Sequence, residues 1–417
     1  MQGPRTFCSA SAEAIANVED ILTEILVLVP ARSLIRFKCV SKHWYSLISH
    51  PKFRHRHTLQ NPSPNISAFF YGYEIEKQSF GSFRLGTHGK LSGNPFIGLS
   101  GLGLEVLQSC NGLFLCVPNL KISVFEFGAE PSHDPIYVIN PTTNEFLALS
   151  SPKGRVAFCI RYALAFDPSK SSHYKVVCLC QYHIEIYSSE TRTWRLLEIS
   201  FPSSNYMQNL SSGILGTMES GVYCNGAIHW MTDQSRSRNS SEGGKRVTGD
   251  HVLYYYDLSE ERMGVAGHIS TCEIDDLFPR ILFRYFGESG GHLYLIDIYR
   301  DSEFDVMEME RDYSGWFVSY HVDLNLVSIR ALGLHNSSLY VLYLGKEDQH
   351  EERAFSVLFI PRNHEIIWSL ILSRTSNYKH GKRRRRKRNR TVKEISTQGC
   401  LVLESGHYYM ETLAPVL

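Results

Sequence analysis

Gly287-Glu288-Ser289-Gly290-Gly291 spells G-x-S-x-G, the spacing of a serine nucleophile held on a strained strand-to-helix turn. Such an elbow needs a helix behind the serine. The next residues, "HLYLIDIY" (292–299), alternate in the manner of a second strand, so a turn between two strands is the expectation. Glu273, Asp275 and Asp276 could offer oxygens to a cation. The glycine-containing spacing of a calcium loop is missing around them, and a solvated acidic loop is expected. His55-Arg56-His57 presents two imidazoles without partners nearby in sequence and is expected as linker surface. The ten cysteines form no C-x-x-C pair of the zinc type. Cys178 and Cys180 flank one residue, would share a face of a strand, and are expected as core thiols. The chain has no phosphate loop, dinucleotide fingerprint or H-E-x-x-H. No catalytic constellation, cofactor or metal is therefore expected, and the chemistry on offer is binding.

The totals agree. Of 417 residues, 43% are hydrophobic and 20% charged, enough for a substantial core. Forty-three Lys and Arg against 42 Asp and Glu hide an asymmetry. The stretch 379–393 holds 10 of the bases and no acid, so the remainder carries 33 bases against 42 acids, a net of −9. An acidic body is a poor nucleic-acid groove, and nucleic acid is not an expected partner. No apolar run approaches the ~18 residues of a membrane span, and no secretory leader is visible, so a reducing interior, nucleus or cytoplasm, is expected. The run Lys382, Arg383, Arg384, Arg385, Arg386, Lys387 and Arg388 repels itself and reads as an exposed, disordered insert (378–396); a nuclear-import signal is the first reading of it, a solvated insert without a role and a non-specific contact with nucleic acid or anionic lipid are the others.

The elements change character near residue 65. Residues 1–16 are small and polar and read as disordered. Ile21, Leu22, Ile25, Leu26 and Val29 then mark an amphipathic helix with acids in its first turns, stopped by Pro30. Leu34, Phe37, Val40, Trp44, Leu47 and Ile48 continue a helical stripe through a second and third short helix, closed at Pro51, with 54–64 as linker. Beyond that, short aromatic and β-branched runs alternate with polar turns. One unit is a small turn and a strand: "CNGLFLCV", "CNGAIHWM", "SGGHLYLI", "HNSSLYVL". A second, "IYVINPTTNEF", "IEIYSSETRTW", "YYYDLSEERM", "MEMERDYSGW", "LFIPRNHEIIW", recurs at intervals of roughly 50 residues. That period predicts an all-β, propeller-like domain over 65–417 with about six blades, the closing one shared by the strand near 66–73 and the last strand. Three short helices cannot hide so many apolar residues among themselves, so either the β domain or another protein must cover the rest.

"EDILTEILVLVPARSLIRFKCVSKHWYSLISHPKF" (19–53) resembles the plant-type F-box, which would occupy 17–53. Glu24-Ile25-Leu26, Pro30, Ser33-Leu34, Arg36-Phe37-Lys38, Val40-Ser41-Lys42 and Trp44 carry the likeness. "SCNGLFLC", "INPTTNEF", "YSSETRTW", "VYCNGAIHW", "YYDLSEE", "DYSGWFV" and "ETLAPV" resemble the kelch-like F-box-associated domain of the same proteins. The resemblance implies a substrate receptor of an SCF-type ubiquitin ligase. Ile21, Leu22, Ile25, Leu26, Pro30, Leu34, Val40, Trp44 and Leu47 would contact a Skp-type adaptor and through it a cullin, and the β domain would hold an unidentified target protein. The family's Leu-Pro opening is Asn17-Val18 here, which keeps open an interaction module independent of the ligase. A propeller glycan hydrolase would need paired carboxylates facing a pocket.

Overall fold

The computed structural model describes residues 19–61, 66–73, 79–84, 104–118, 135–150, 159–180, 183–198, 220–233, 251–269, 283–300, 303–323, 337–346, 353–361, 366–374, 388–396 and 403–416. Four helices come first: α1 Glu19–Val27, α2 Ala31–Phe37, α3 Lys42–Ser49 and α4 Pro51–Gln60. Glu19 and Asp20 sit in the first turn of α1, where carboxylates favour the positive end. Ser41 caps α3 by accepting from the Trp44 backbone N–H at 3.2 Å. The fourth helix corrects the expected linker at 54–64. Pro51 opens a helix instead of closing one, because its fixed φ suits the first helical position and its missing N–H is not needed there. His50 Nδ1 caps the same turn by accepting from Lys52 N–H at 3.2 Å.

Twenty-three strands come after them, all antiparallel, in one three-stranded and five four-stranded sheets among the described residues. The sequence period suggested about six units. In chain order the four-stranded sheets are β3–β6 (Leu104–Leu149), β7–β10 (Cys159–Glu198), β11–β14 (Val222–Ile269), β15–β18 (Phe283–Asp323) and β19–β22 (Ser337–Ser396). The first strands β3, β7, β11, β15 and β19 touch one after another, and β23 (Leu403–Met410) touches both β19 and β3. This cyclic order is a propeller. It closes as expected: β23 pairs with β1 (Ile66–Tyr73), which pairs with β2 (Ser79–Arg84). Residues 388–396, expected inside a disordered insert, are strand β22 in register with β21 (Ile366–Arg374). Pairing with an apolar strand outweighs the charge on its first residues. Lys382 to Lys387 lie outside the described residues, as do 1–18 and the acidic 273–276.

Both sequence units are hairpins. The first joins the inner pair of strands through two residues with positive φ: Asn111-Gly112 (46° and 91°), Asn225-Gly226 (50° and 93°) and Gly290-Gly291 (62° and 79°). These are the dihedral signs of a type I′ turn, and Asn and Gly tolerate them best. The G-x-S-x-G stretch is one of these turns, with strand on both sides and Ser289 buried. The second unit joins the outer pair, with Asn140, Asp257 or Asp312 accepting from backbone N–H groups two residues on at 2.9, 2.8 and 3.0 Å. Apolar faces of neighbouring sheets pack together: Leu115, Val138, Leu164 and Val176 between two of them, Val177, Ile186, Ile228 and Tyr256 between the next. Cys178 is buried within its sheet, and the Cys180 side chain lies outside the described residues.

Candidate functional site

The helical part sorts its apolar residues into two sets. Leu22, Leu26, Val27, Ala31, Leu34, Leu47, Ile48 and Phe53 are buried together, with Phe37 and Trp44 packed half-exposed against them. Phe37 and Trp44 meet edge to face at 5.6 Å. Ile21, Ile25, Leu28, Val40 and Tyr45 are instead between 47% and 77% exposed. On α1 and the turn that follows it the split keeps helical spacing. Ile21, Ile25 and Leu28 stand at i, i+4 and i+7 and form one outward row, while Leu22 and Leu26 form the inward row.

The nine residues expected to contact an adaptor therefore divide. Ile21, Ile25, Pro30 and Val40 are exposed and Trp44 is half-exposed, all open to a partner. Leu22, Leu26, Leu34 and Leu47 are not: they are spent on the domain's own core, because a four-helix unit this small needs every inward leucine it has. Leu28 and Tyr45 are exposed as well and were not among the nine. Extending the Ile21–Ile25 row by three positions finds Leu28; nothing in the local pattern marks Tyr45. Lys38 Nζ lies 5.8 Å from the Tyr45 ring centre, and burial holds the Lys38 ammonium below its usual pKa, helped by the nearby Arg54 cation. Glu24 receives Arg56 Nη2 on both oxygens at 2.7 Å, tying α1 to α4.

The inner face meets the propeller. Leu413, from the segment after β23, is buried inside the helical core. Arg54 of α4 is buried; its Nη1 and Nη2 donate to Glu145 Oε1 and Oε2 at 2.8 and 2.5 Å, a fork-to-fork pair, while Nε donates to the Leu413 carbonyl at 3.0 Å. His55 Nδ1 lies 2.5 Å from Ser172 Oγ on the β7–β8 connection. His57 is buried with Nε2 at 2.9 Å from the Val29 carbonyl, and burial lowers its pKa. The His-Arg-His stretch, expected as bland surface, is thus a joint. Its two imidazoles are used separately, one at the joint and one in the core. Among the described residues no group of three or more His, Cys, Asp or Glu is placed to hold a metal ion, and no helix is long and apolar enough to cross a membrane.

Two families and several known proteins match the chain. The F-box domain family matches residues 18–56, and the F-box associated beta propeller domain family matches residues 96–275. F-box protein At5g07610 of Arabidopsis thaliana is 33% identical over 343 residues, covering 76% of this chain and 73% of that protein. From the same plant, F-box/kelch-repeat protein At3g23880 is 28% identical over 243 residues (52% of this chain, 59% of that protein), and F-box protein CPR1 is 26% identical over 233 residues (51% and 52%). A helical unit that leaves one apolar face open, fixed to a closed ring of antiparallel sheets, together with relatedness at this level, places the chain in the F-box proteins that carry an F-box-associated β-propeller.

Proposed function

We propose that this protein is the substrate-recognition subunit of an SCF-type ubiquitin ligase: the helical F-box docks on a Skp-type adaptor, and the propeller holds a target protein for modification by other subunits. The observation that supports this reading is the open face itself. Ile21, Ile25, Leu28, Val40 and Tyr45 stay in solvent although a β domain is packed against the opposite side of the same helices. Burying one such side chain is worth roughly 1.5–3 kcal/mol, so leaving five uncovered suits a surface that is covered by a partner. On this reading the protein makes and breaks no bond. It raises the local concentration of target lysines near the conjugating machinery. Action in the nucleus or cytoplasm belongs to the same proposal, since ubiquitin ligases of this type work there and Cys39, Cys110, Cys116, Cys178 and Cys224 are free thiols.

Capture of the full-length protein on immobilised Skp-type adaptor tests it. The parent protein should be retained, and Ile25→Asp combined with Val40→Asp should lose at least tenfold in capture with an unchanged melting temperature. No capture of the parent protein would overturn the reading.

A further inference from the structure

The segment 411–416 is gripped from two sides. On the propeller side, Asn140 Nδ2 donates to the carbonyls of Thr412 and Ala414 at 3.1 and 2.8 Å. Thr142 Oγ1 accepts from Thr412 N–H at 3.1 Å, and the Tyr174 hydroxyl donates to the Val416 carbonyl at 3.1 Å. On the helical side, Arg54 donates from Nε to the Leu413 carbonyl at 3.0 Å and from Nη2 to the Ala414 carbonyl at 3.3 Å, while Arg32 N–H donates to Glu411 Oε2 at 3.3 Å. The side chains repeat the division. Leu413 is fully buried in the helical core; Ala414 and Val416 are fully buried in the propeller core. Neighbouring residues of one extended stretch thus belong to two hydrophobic cores.

A second fact gives this arrangement a use. The chain passes from the helices to the propeller once, across the four residues between Asn61 and Ile66. One covalent crossing does not by itself set the angle between two parts. A second attachment well away from it in sequence does, and 411–416 with the Arg54–Glu145 pair is that attachment.

We propose that the 411–416 segment is an orientation latch, with Arg54 as its positioning residue, which fixes the helices at one angle to the propeller. It rests on the ligase reading above: a target held by the propeller then stands at a constant offset from the adaptor. The latch is neutral toward adaptor affinity, because none of its residues lies on the open face.

Two full-length variants test it. In Arg54→Met with Glu145→Met an apolar pair replaces the ion pair, so no buried charge is stranded and the chain keeps its fold. Glu145→Gln is the milder change and leaves every Arg54 donor in place. Spin labels on non-natural side chains at exposed positions Lys52 and Glu260 report the distance between the two parts by pulsed electron resonance. The double variant should broaden the distance distribution at least twofold, and Glu145→Gln should broaden it less. Adaptor capture should stay within twofold of the parent for both. A distribution as narrow as the parent's in both variants would overturn the latch. A parent protein that shows the narrow distribution but no adaptor capture would instead overturn the ligase reading, so the two failures are told apart.

Discussion

Arg54 is one of three cations in "KFRHRHTLQ", and nothing in that local sequence sets it apart from Lys52 or Arg56. Only the tertiary structure buries it against Glu145 and a backbone segment hundreds of positions away. Removing Arg54 leaves a partly buried Glu145 without its cation and the Leu413 and Ala414 carbonyls without their donor. Arg54→Met alone should therefore cost about 2–4 kcal/mol in urea unfolding, more than the matched double replacement, which the two curves would show directly. His229 is a second residue whose role the sequence hid. It is buried, with Nδ1 at 3.1 Å from the Val222 carbonyl and Nε2 at 2.6 Å from the Tyr313 hydroxyl. Neutral imidazole satisfies both contacts, the nitrogen facing the carbonyl carrying the proton. Burial pushes its pKa down to about 4 from an ordinary 6.5, against a smaller opposing effect of that carbonyl. Between those values the unfolded chain takes up a proton that the folded chain refuses. Stability should thus be level above pH 6.5 and fall as pH drops from about 6.5 to about 4, by roughly 3 kcal/mol in all. Melting curves across that window check the sign, and His229→Gln should melt lower at pH 7 but with a shallower pH slope.

The elements were legible where a period or a turn motif governed them. Asn-Gly and Gly-Gly between apolar runs announced the inner hairpins, and the structure has their residues at positive φ. The 50-residue recurrence announced repeated sheets, and the pairing of the first strand with the last followed from counting them. Helix α4 escaped because its apolar pattern is weak: Phe53 is its main inward hydrophobe, and its other buried residues, Arg54, His57 and Thr58, are polar. A helix that satisfies polar groups in a joint has no clean stripe to read. Which row of α1 faces outward was not legible for the opposite reason. Its apolar residues cover both the inward and outward rows, and periodicity alone does not say which row is dry. Gly112 carries a test at this scale. Its φ is +91°, and an added Cβ would stand 2.5 Å from the Met410 carbonyl oxygen and 2.7 Å from Thr412 Cγ2. Gly112→Ala should lower stability by at least ~1–2 kcal/mol in denaturant titration and loosen the neighbouring 411–416 segment in hydrogen exchange.

Among the described residues the helical core and one of the propeller's inter-sheet cores share one segment, and an apolar face is left open beyond the helical core. That arrangement separates two kinds of mutation that adaptor capture alone would confuse. Leu34 is completely buried, so Leu34→Ala should destabilise the helical part by ~2–5 kcal/mol and lose capture through unfolding. Ile25→Asp and Val40→Asp should lose capture with the thermal transition intact. Running both sets of variants through calorimetry and capture side by side checks the division. The pairing of β23 with β1 also reaches into synthesis. A ribosome makes the helices and β1 before β3 to β22 and makes β23 after them, so the sheet that joins the ring and the Leu413 that completes the helical core arrive together, later than the other described strands. A nascent chain exposes its oily helices long before it has a closed propeller behind them, and a product cut short within β23 would lose ring closure and the joint in a single event.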